Sequence, residues 1–441
     1  MKKIVSIILS AFLIITCFTA CSSSGANVYF LNFKPEVADV YTEIAKVYEE
    51  ETGVTVKIST AASGNYEQTL KSEIAKSDAP TIFQINGPVG YSAWSEFTLD
   101  LSDTELYELL TDKSLAITDG DAVYGIPFAV EGYGIIYNNS IMEEYFAMTD
   151  AKFSSIEEVK NFETLELLVE DMQSKKEELG IEGVFASTSL VSGEEWRWHT
   201  HLANIPLYYE FSEKDLDLSV SDSTSTIDFE YLDNFKNLFD LYTDNSLTAK
   251  TSLGTKSVDD SMAEFAMGKV AMVQNGNWAW SQIEGISGNV VSEEDVMFMP
   301  MYTGIEGEEN QGLSIGTENF FAINKEASEE DQQASIDFLT WLYTSETGKA
   351  FVTEQLGFIA PFDSFSEEEV PDDPLAKQVL TWSSNEEVEN IPWNFTIFPS
   401  TIWKNNFGSN LLSYTQGQFD WSDMQQKLTE DWASEKANAN G

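Results

Sequence analysis

A strand, a helix and a second strand follow one another near the start of this 441-residue chain. Residues 28–32 form an apolar run typical of a buried strand, and residues 54–58 are rich in β-branched side chains. Between these runs, apolar residues recur at helical spacing until Gly53, which ends the predicted helix. A crossover helix of this length joins parallel strands and not the arms of a hairpin. The chain is therefore predicted to be an α/β protein built on parallel sheets.

The alternation of strands and helices continues along the chain. Further strands are predicted at residues 81–85, 135–137, 270–274 and 320–323, and helices at residues 66–77 and 329–343. The last eighty residues or so lack strand signals and are predicted to be mostly helical. Without an N-terminal leader the chain keeps about 420 residues, which is enough for two lobes with separate cores.

The N-terminus predicts export. Residues 1–20 contain Lys2 and Lys3, an apolar run and small residues before Cys21, as in a signal peptide. The apolar run is too short for an ordinary membrane-spanning helix. The leader and Cys21 resemble a bacterial lipoprotein signal, which implies cleavage before Cys21, lipid on that residue and a tether at residues 21–27. The alternative is plain secretion with Cys21 as a leftover thiol. Since Cys17 lies in the leader, the mature chain can form no internal disulfide.

The charge balance excludes several partners. The formal net charge is −50, from 74 acidic and 24 basic residues. Such a surface repels nucleic acid and anionic lipid headgroups, so we expect no nucleic-acid partner. It also disfavours polyanionic substrates.

Few residues favour catalysis or metal binding. His199 and His201 are the only histidines, and they lie among aromatic residues. They could join a carboxylate at a zinc site, but core or cleft histidines fit this context better. Residues 312–316 match the pattern of a hydrolase nucleophile elbow, yet no histidine follows residue 201 to act as the base. We therefore predict a protein that is not an enzyme and that uses no metal or cofactor.

Aromatic residues beside amides and glycines occur in three predicted loops, at residues 84–91, 275–280 and 393–395. Sugars present C–H faces that stack on aromatic rings, and hydroxyls that need planar donors and acceptors. Trp278, which follows an apolar strand and lies among asparagines and glycine, is the best candidate for such a platform. The alternative is that these aromatic residues fill the core, as most tryptophans do.

Three segments are similar to the extracellular sugar-binding lipoproteins of ABC importers, the family 1 solute-binding proteins that include maltose-binding protein. Residues 268–281 resemble the segment in which a tryptophan stacks on bound sugar, which implies this role for Trp278. Residues 126–138 resemble the segment through the first hinge, where a glutamate, here Glu131, contacts sugar hydroxyls. Residues 81–87 resemble a loop with an aspartate in the maltose binder, and Asn86 takes its place here.

Three shorter segments extend this resemblance. Asn32 and Lys34 match an amide and a lysine that lie in the cleft, and Trp196 falls near a segment that supplies an aromatic platform. Residues around Trp403 resemble a C-terminal segment with another stacking tryptophan. Where the family has an arginine four positions later, this chain has Phe407.

The resemblance implies two α/β lobes that close on ligand about a hinge. Lobe one is expected at residues 28–129 and 312–360, and lobe two at residues 130–305 and 361–441. Asn32, Asn86 and Glu131 would form one wall of the cleft, opposite Trp196, Trp278 and Trp403.

A role as a transport receptor is the function that the resemblance implies. The protein would be a monomer, anchored to the outside of a bacterial cell membrane through Cys21, that delivers a neutral oligosaccharide to the transmembrane subunits of an ABC permease. A maltooligosaccharide is the first choice of ligand and an α-galactoside such as raffinose the second. A secreted glycoside hydrolase and a cell-surface glycan adhesin are the alternatives.

Overall fold

The computed structural model describes residues 27–61, 65–218, 221–366 and 368–439. The predicted leader, Cys21 and residues 22–26 of the predicted tether lie outside the described residues. The described chain forms two six-stranded sheets with helices packed against them. This arrangement confirms the predicted two-lobe α/β fold.

Strands and helices are numbered here in chain order. Within the described residues the strands are β1 (Asn27–Asn32), β2 (Thr55–Thr60), β3 (Ile82–Ile85), β4 (Ile117–Asp119), β5 (Ala122–Pro127), β6 (Glu131–Asn138), β7 (Gly183–Phe185), β8 (Val270–Gly276), β9 (Val296–Met299), β10 (Gln311–Gly316), β11 (Phe320–Ile323) and β12 (Glu389–Pro392). The α-helices are α1 (Ala38–Thr52), α2 (Tyr66–Glu73), α3 (Gly87–Trp94), α4 (Glu105–Glu108), α5 (Asn139–Phe146), α6 (Phe162–Ser174), α7 (Ala203–Glu213), α8 (Leu232–Asp244), α9 (Val258–Ala266), α10 (Ala279–Glu284), α11 (Glu329–Thr344), α12 (Glu346–Ala350), α13 (Pro374–Ser383), α14 (Thr401–Thr415) and α15 (Met424–Ala439).

The first sheet runs in the order β2-β1-β3-β11-β5-β4. β1 pairs in parallel with β2 and β3, as the crossover helix α1 requires, which confirms the predicted strand–helix–strand unit. β11 comes from much later in the chain and runs antiparallel to β3 and β5. Helix α1 buries Tyr41 and Ile44 in the core of this lobe. Gly53 ends α1 with φ at 76°, a left-handed conformation that favours glycine.

The second sheet runs in the order β12-β10-β6-β8-β7, and β9 also pairs with β6. β6 is its centre, and all of its residues are buried. β12 corrects the expectation that the last eighty residues contain no strand. This strand is short, lies at the sheet edge and ends with Pro392, so it carries almost no periodic pattern in the sequence.

β10 belongs to this second sheet, because Gly316 pairs with Glu131 of β6. The sequence analysis expected residues 312–360 in lobe one. Residues 312–316 instead lie in lobe two, because β10 belongs to the second sheet. The chain therefore returns to the first sheet after Gly316.

The chain passes between the two sheets at three places within the described residues: between β5 and β6, between β10 and β11, and between α12 and α13. The first and third crossings are hydrogen-bonded to each other, since the N–H of Val130 donates to the carbonyl of Ile359 at 2.8 Å. Glu131 follows directly, so its side chain starts at the base of the cleft between the lobes.

A second feature of lobe two is a core rich in tryptophan. Trp403 of α14 and Trp432 of α15 are fully buried, with ring centroids 5.0 Å apart in an edge-to-face arrangement. The indole N–H of Trp403 donates to the carbonyl of Leu428 at 3.0 Å. These contacts hold the two C-terminal helices together.

Trp403→Ala is expected to lower the free energy of unfolding by about 3–5 kcal/mol, because it leaves a large cavity in this core. Trp341→Ala is the matched control: Trp341 is partly exposed on α11, and its indole bonds Glu51 at the surface. We expect the control to lose less stability. Urea unfolding of the two variants measures the difference, and equal losses would contradict the assignment of Trp403 to the core.

Candidate functional site

Lys34 enters the cleft from the loop that follows β1. Asn32, the last residue of β1, holds this loop: its Oδ1 accepts a hydrogen bond from the Lys34 N–H at 3.0 Å, and its Nδ2 donates to the Lys34 carbonyl at 2.6 Å. Nδ2 also lies 3.1 Å from Oγ1 of Thr60. The Asn32 amide is thus engaged within lobe one, where it positions Lys34. Its direct contact with a ligand stays a prediction.

The side chain of Lys34 crosses to the second sheet. Its Nζ lies 2.7 Å from Oε1 of Glu131 and 3.5 Å from Oε1 of Glu36. Lys34 and Glu131 are both buried. Burial by itself lowers the pKa of Lys34, but Glu131 and Glu36 outweigh it and raise that pKa above its ordinary value. Burial raises the pKa of Glu131, and Lys34 opposes this shift. A charge-assisted hydrogen bond therefore joins the lobes.

Trp278 comes two residues after the end of β8, and its indole folds back over Gly276. A Cβ atom at Gly276 would lie 2.2 Å from the indole, so only glycine allows this close approach. Nζ of Lys34 lies 5.0 Å from the centroid of the Trp278 ring, which is a cation–π distance. Trp278 is only partly buried. Its ring therefore keeps surface that a ligand can contact.

Four rings form a continuous surface on the lobe-two side, here called the aromatic wall: Tyr133, Trp196, His201 and Trp278. Ring centroids of Trp278 lie 6.0 Å from Tyr133, 6.0 Å from Trp196 and 5.9 Å from His201. Tyr133 belongs to β6, whereas Trp196 and His201 come from a different part of the chain. The structure thus brings together the predicted site residues Trp196, Trp278, Glu131 and Lys34. It corrects the expected position of Glu131, which lies in lobe two with Trp278 and not on the opposite wall, because β6 pairs with β8.

The π-helix Arg197–Leu202 positions Trp196 and His201 in the wall. Such wide turns are rare and occur often at functional sites. The guanidinium carbon of Arg197 lies 4.0 Å from the centroid of the Trp196 ring. Arg197 is buried, and this burial lowers the pKa of its guanidinium below the usual value.

Asn86 lies at the end of β3 in lobe one, where α3 begins. Its Oδ1 is buried and has no hydrogen-bond partner among the described residues. The next residue, Gly87, has φ at 62°, and a Cβ atom there would lie 2.6 Å from Cβ of Thr396. Thr396 is in lobe two, so the lobes touch beside Asn86. The contact of Asn86 with a ligand stays a prediction.

Trp403 corrects the sequence interpretation. It was expected to stack on sugar, but it is fully buried between α14 and α15, and its N–H is bonded within the core. Phe407, which replaces the arginine of the related family, is also fully buried, with its ring 5.6 Å from that of Trp403. The apolar residue at position 407 extends the core, so neither side chain reaches the cleft.

Sequence reasoning missed His201 and Trp393 as site residues. Their ring centroids are 5.2 Å apart, so Trp393 continues the aromatic wall. Four buried polar atoms at the site have no hydrogen-bond partner among the described residues. They are Nδ1 and Nε2 of His201, Nε1 of Trp393 and Oε2 of Glu131. Buried polar atoms of this kind are normally hydrogen-bonded. Two sequence features could have identified these site residues: the aromatic residues around His201, and the loop at residues 393–395 that contains Trp393.

A cavity of about 200 Å³ lies between the lobes, beside Trp278 and Glu131. Carboxylates dominate its polar lining: Glu36, Glu131, Glu284, Glu293, Glu354, Asp372 and Asp373. Nearby, burial and the charge of Glu131 raise the pKa of Glu318 to about 7. The field in this part of the cleft disfavours anionic ligands.

Asp373 lines the cavity and directly precedes α13. Its side chain caps α13 by accepting a hydrogen bond from the N–H of Ala376 at 2.8 Å. Burial raises the pKa of Asp373 from 3.8 to about 7. The native state therefore binds this proton more tightly than the unfolded chain does. This contribution to stability is complete below pH 3.8 and is lost as pH rises to about 7.

Asp373→Asn keeps a good helix cap but removes the titration. Its stability relative to the wild type is expected to improve as pH rises from 4.5 to about 7. Asp420→Asn is the matched control, since Asp420 also caps a helical turn but has a lowered pKa because it accepts hydrogen bonds from Ser422. The control should show no such improvement. Urea unfolding across this pH range measures both differences, and a constant difference for Asp373→Asn would contradict the assignment.

No group of three or more His, Cys, Asp or Glu side chains is arranged to hold a metal ion in the part of the chain that the structure describes. No helix there has the length and apolar character needed to cross a membrane.

Several solved structures share this architecture. A chitin oligosaccharide binding protein matches with a TM-score of 0.72 and 16% identity, over 94% of this chain and 99% of that chain. RafE in complex with raffinose matches with a TM-score of 0.64 and 17% identity, over 94% and 100%. Maltose-bound MalE3 of T. maritima matches with a TM-score of 0.68 and 15% identity, over 92% and 98%. At these identities the likeness concerns the fold.

The sequence also matches a family profile. The profile described as bacterial extracellular solute-binding protein covers residues 43–378, which is most of the chain. The solute-binding function of this family agrees with the observed cleft between two lobes, which aromatic and polar side chains line. The chain belongs to the family of bacterial extracellular solute-binding proteins.

Proposed function

We propose that this protein is the membrane-anchored receptor of an ABC importer that captures a neutral oligosaccharide and delivers it to the transmembrane subunits. Its family is extracellular, which implies a location outside the cytoplasm. Proteins of the same fold bind maltose, raffinose and chitin oligosaccharides. A maltooligosaccharide is our first choice of ligand, and an α-galactoside such as raffinose is the second.

The observation that carries this proposal is the position of Trp278 beside the Lys34–Glu131 ion pair. An indole presents a flat apolar face to the C–H groups of a sugar ring. A carboxylate and an ammonium group next to that face accept from and donate to the ring hydroxyls. Few ligand classes other than carbohydrates present both kinds of surface on one ring.

The contacts across the cleft suggest how ligand binding is coupled to closure. Lys34 belongs to lobe one, whereas Glu131 and Trp278 belong to lobe two. A sugar that contacts all three side chains binds best when the lobes are closed, so its affinity supplies the free energy of closure. The permease would then recognise the closed form.

The charge of the cleft supports a ligand without negative charge. Carboxylates line the cavity beside Trp278, and Lys34 is already paired with Glu131 and Glu36. An anionic sugar would therefore meet repulsion from these carboxylates. Calorimetry of the domain from Asn27 onward, against neutral and acidic oligosaccharides, tests the proposal; binding of none of the neutral sugars would overturn it.

Trp278→Ala is expected to weaken sugar binding by about 2 kcal/mol or more, by analogy with buried aromatic hot spots, which is roughly thirtyfold in affinity. Trp278→Phe should recover part of the loss, because a smaller ring still stacks. The melting temperature of the unliganded variant should change much less than that of Trp403→Ala. Unchanged affinity in a folded Trp278→Ala protein would place the sugar elsewhere.

Glu131→Gln should act in two ways. It removes a charge-assisted hydrogen bond worth about 1.5–3 kcal/mol to the ligand, and it also leaves Lys34 buried without its closest counter-ion. We therefore expect lower affinity together with lower stability of the unliganded protein. Calorimetry with several disaccharides, combined with thermal unfolding, separates the two effects. An unchanged melting temperature would show that the ion pair contributes nothing to the closed fold.

The lipid anchor is tested by Cys21→Ser. Because lipidation needs the thiol of Cys21, this variant is expected to appear in the medium or to remain unprocessed, whereas the wild type stays with the membrane fraction. Cys17→Ser is the matched control, since Cys17 lies within the leader and should be dispensable for retention. Membrane retention of Cys21→Ser equal to that of the control would show that Cys21 does not anchor the protein.

A further inference from the structure

His201 is the most deeply buried unpaired polar side chain of the aromatic wall. Only 1% of its surface is exposed, and neither Nδ1 nor Nε2 has a hydrogen-bond partner among the described residues. A buried polar group without a partner costs free energy. A bound ligand that forms hydrogen bonds with Nδ1 and Nε2 of His201 would remove this cost.

The ring of His201 is held in one orientation. It stacks face to face on Tyr133, with centroids 3.9 Å apart and planes 2° from parallel. Phe395 and Trp393 contact it edge to face, at 4.8 and 5.2 Å between centroids. The rings fix the imidazole plane without using its nitrogen atoms, as a binding group held ready for a ligand requires.

The surroundings keep this imidazole neutral. Burial is the largest cause that lowers the pKa of His201 well below its usual value, and the cations Arg197, Lys404 and Lys34 lower it further, together with His199. A neutral imidazole has one N–H donor and one nitrogen acceptor. A sugar hydroxyl both donates and accepts, so it can pair with either nitrogen.

We infer that His201 is a ligand-binding residue that forms the floor of the sugar site between Trp278 and Trp393 and exchanges hydrogen bonds with ring hydroxyls. This inference rests on the proposed function. It adds an orienting group to the site, because stacking on Trp278 alone leaves the sugar free to rotate in the plane of the indole. The hydroxyl pattern that fits the two nitrogens then selects among neutral sugars.

His199 gives an internal control. It is buried in the same π-helix as His201, yet its Nδ1 lies 2.9 Å from Oγ1 of Thr200 and so already has a partner. The chain contains no other histidine. Histidine labelled with ¹⁵N therefore gives signals from one imidazole that is paired within the protein and one that is not.

The experiment is a titration of the ¹⁵N-histidine-labelled mature domain with the tightest-binding oligosaccharide found by calorimetry, at pH 7. The ring nitrogen signals of His201 are expected to shift as the site fills, whereas those of His199 stay in place. Signals of His201 that do not move at saturation, while tryptophan fluorescence reports binding, would overturn the inference and leave the proposed function intact.

Two variants extend the test. His201→Phe keeps a ring for stacking on Tyr133 but removes both nitrogens, and we expect about tenfold weaker sugar binding without a lower melting temperature. His201→Gln restores one donor and one acceptor and should recover part of the affinity. Wild-type affinity in His201→Phe would overturn the inference. If no carbohydrate binds the wild type, the proposed function fails and this inference fails with it.

Discussion

The ion pair of Lys34 and Glu131 is the contact on which the geometry of the cleft depends. Two charges removed from water are tolerated only when they face each other at short distance, here 2.7 Å. Lys34 belongs to the first sheet and Glu131 to the second. Their pairing therefore favours one arrangement of the lobes, and it places an ammonium group over Trp278 in that arrangement.

The aromatic wall depends on two local features of lobe two. Glycine at position 276 lets the indole of Trp278 lie against the strand end, where any side chain would collide with it. The π-helix Arg197–Leu202 widens the turn that carries His201 to its stack on Tyr133. Both features place the rings of the aromatic wall. Lobe two therefore holds the stacking surface, and lobe one contributes the charged group that meets it.

Several parts of the fold followed from local patterns in the sequence. The helix that ends at Gly53 and the strand at residues 320–323 were correctly predicted, because helical spacing, a terminating glycine and apolar runs are local signals. β12 was missed because a short edge strand needs no hydrophobic pattern. The assignment of residues 312–316 to lobe one was wrong, since an apolar strand does not reveal which of two sheets it joins.

The sequence by itself determined the fold class, the segments that lead into the cleft and the residue types that a sugar site needs. It made Trp278 the best candidate for a stacking platform but also predicted that Trp403 stacks on sugar. Tertiary packing distinguished the two residues: Trp403 is enclosed by α15, whereas Trp278 lies at a strand end that faces the other lobe. Packing also left the nitrogens of His201 without partners among the residues that the structure describes. The physical reason is that burial and hydrogen-bond pairing depend on residues far apart in the chain, and no local pattern records them.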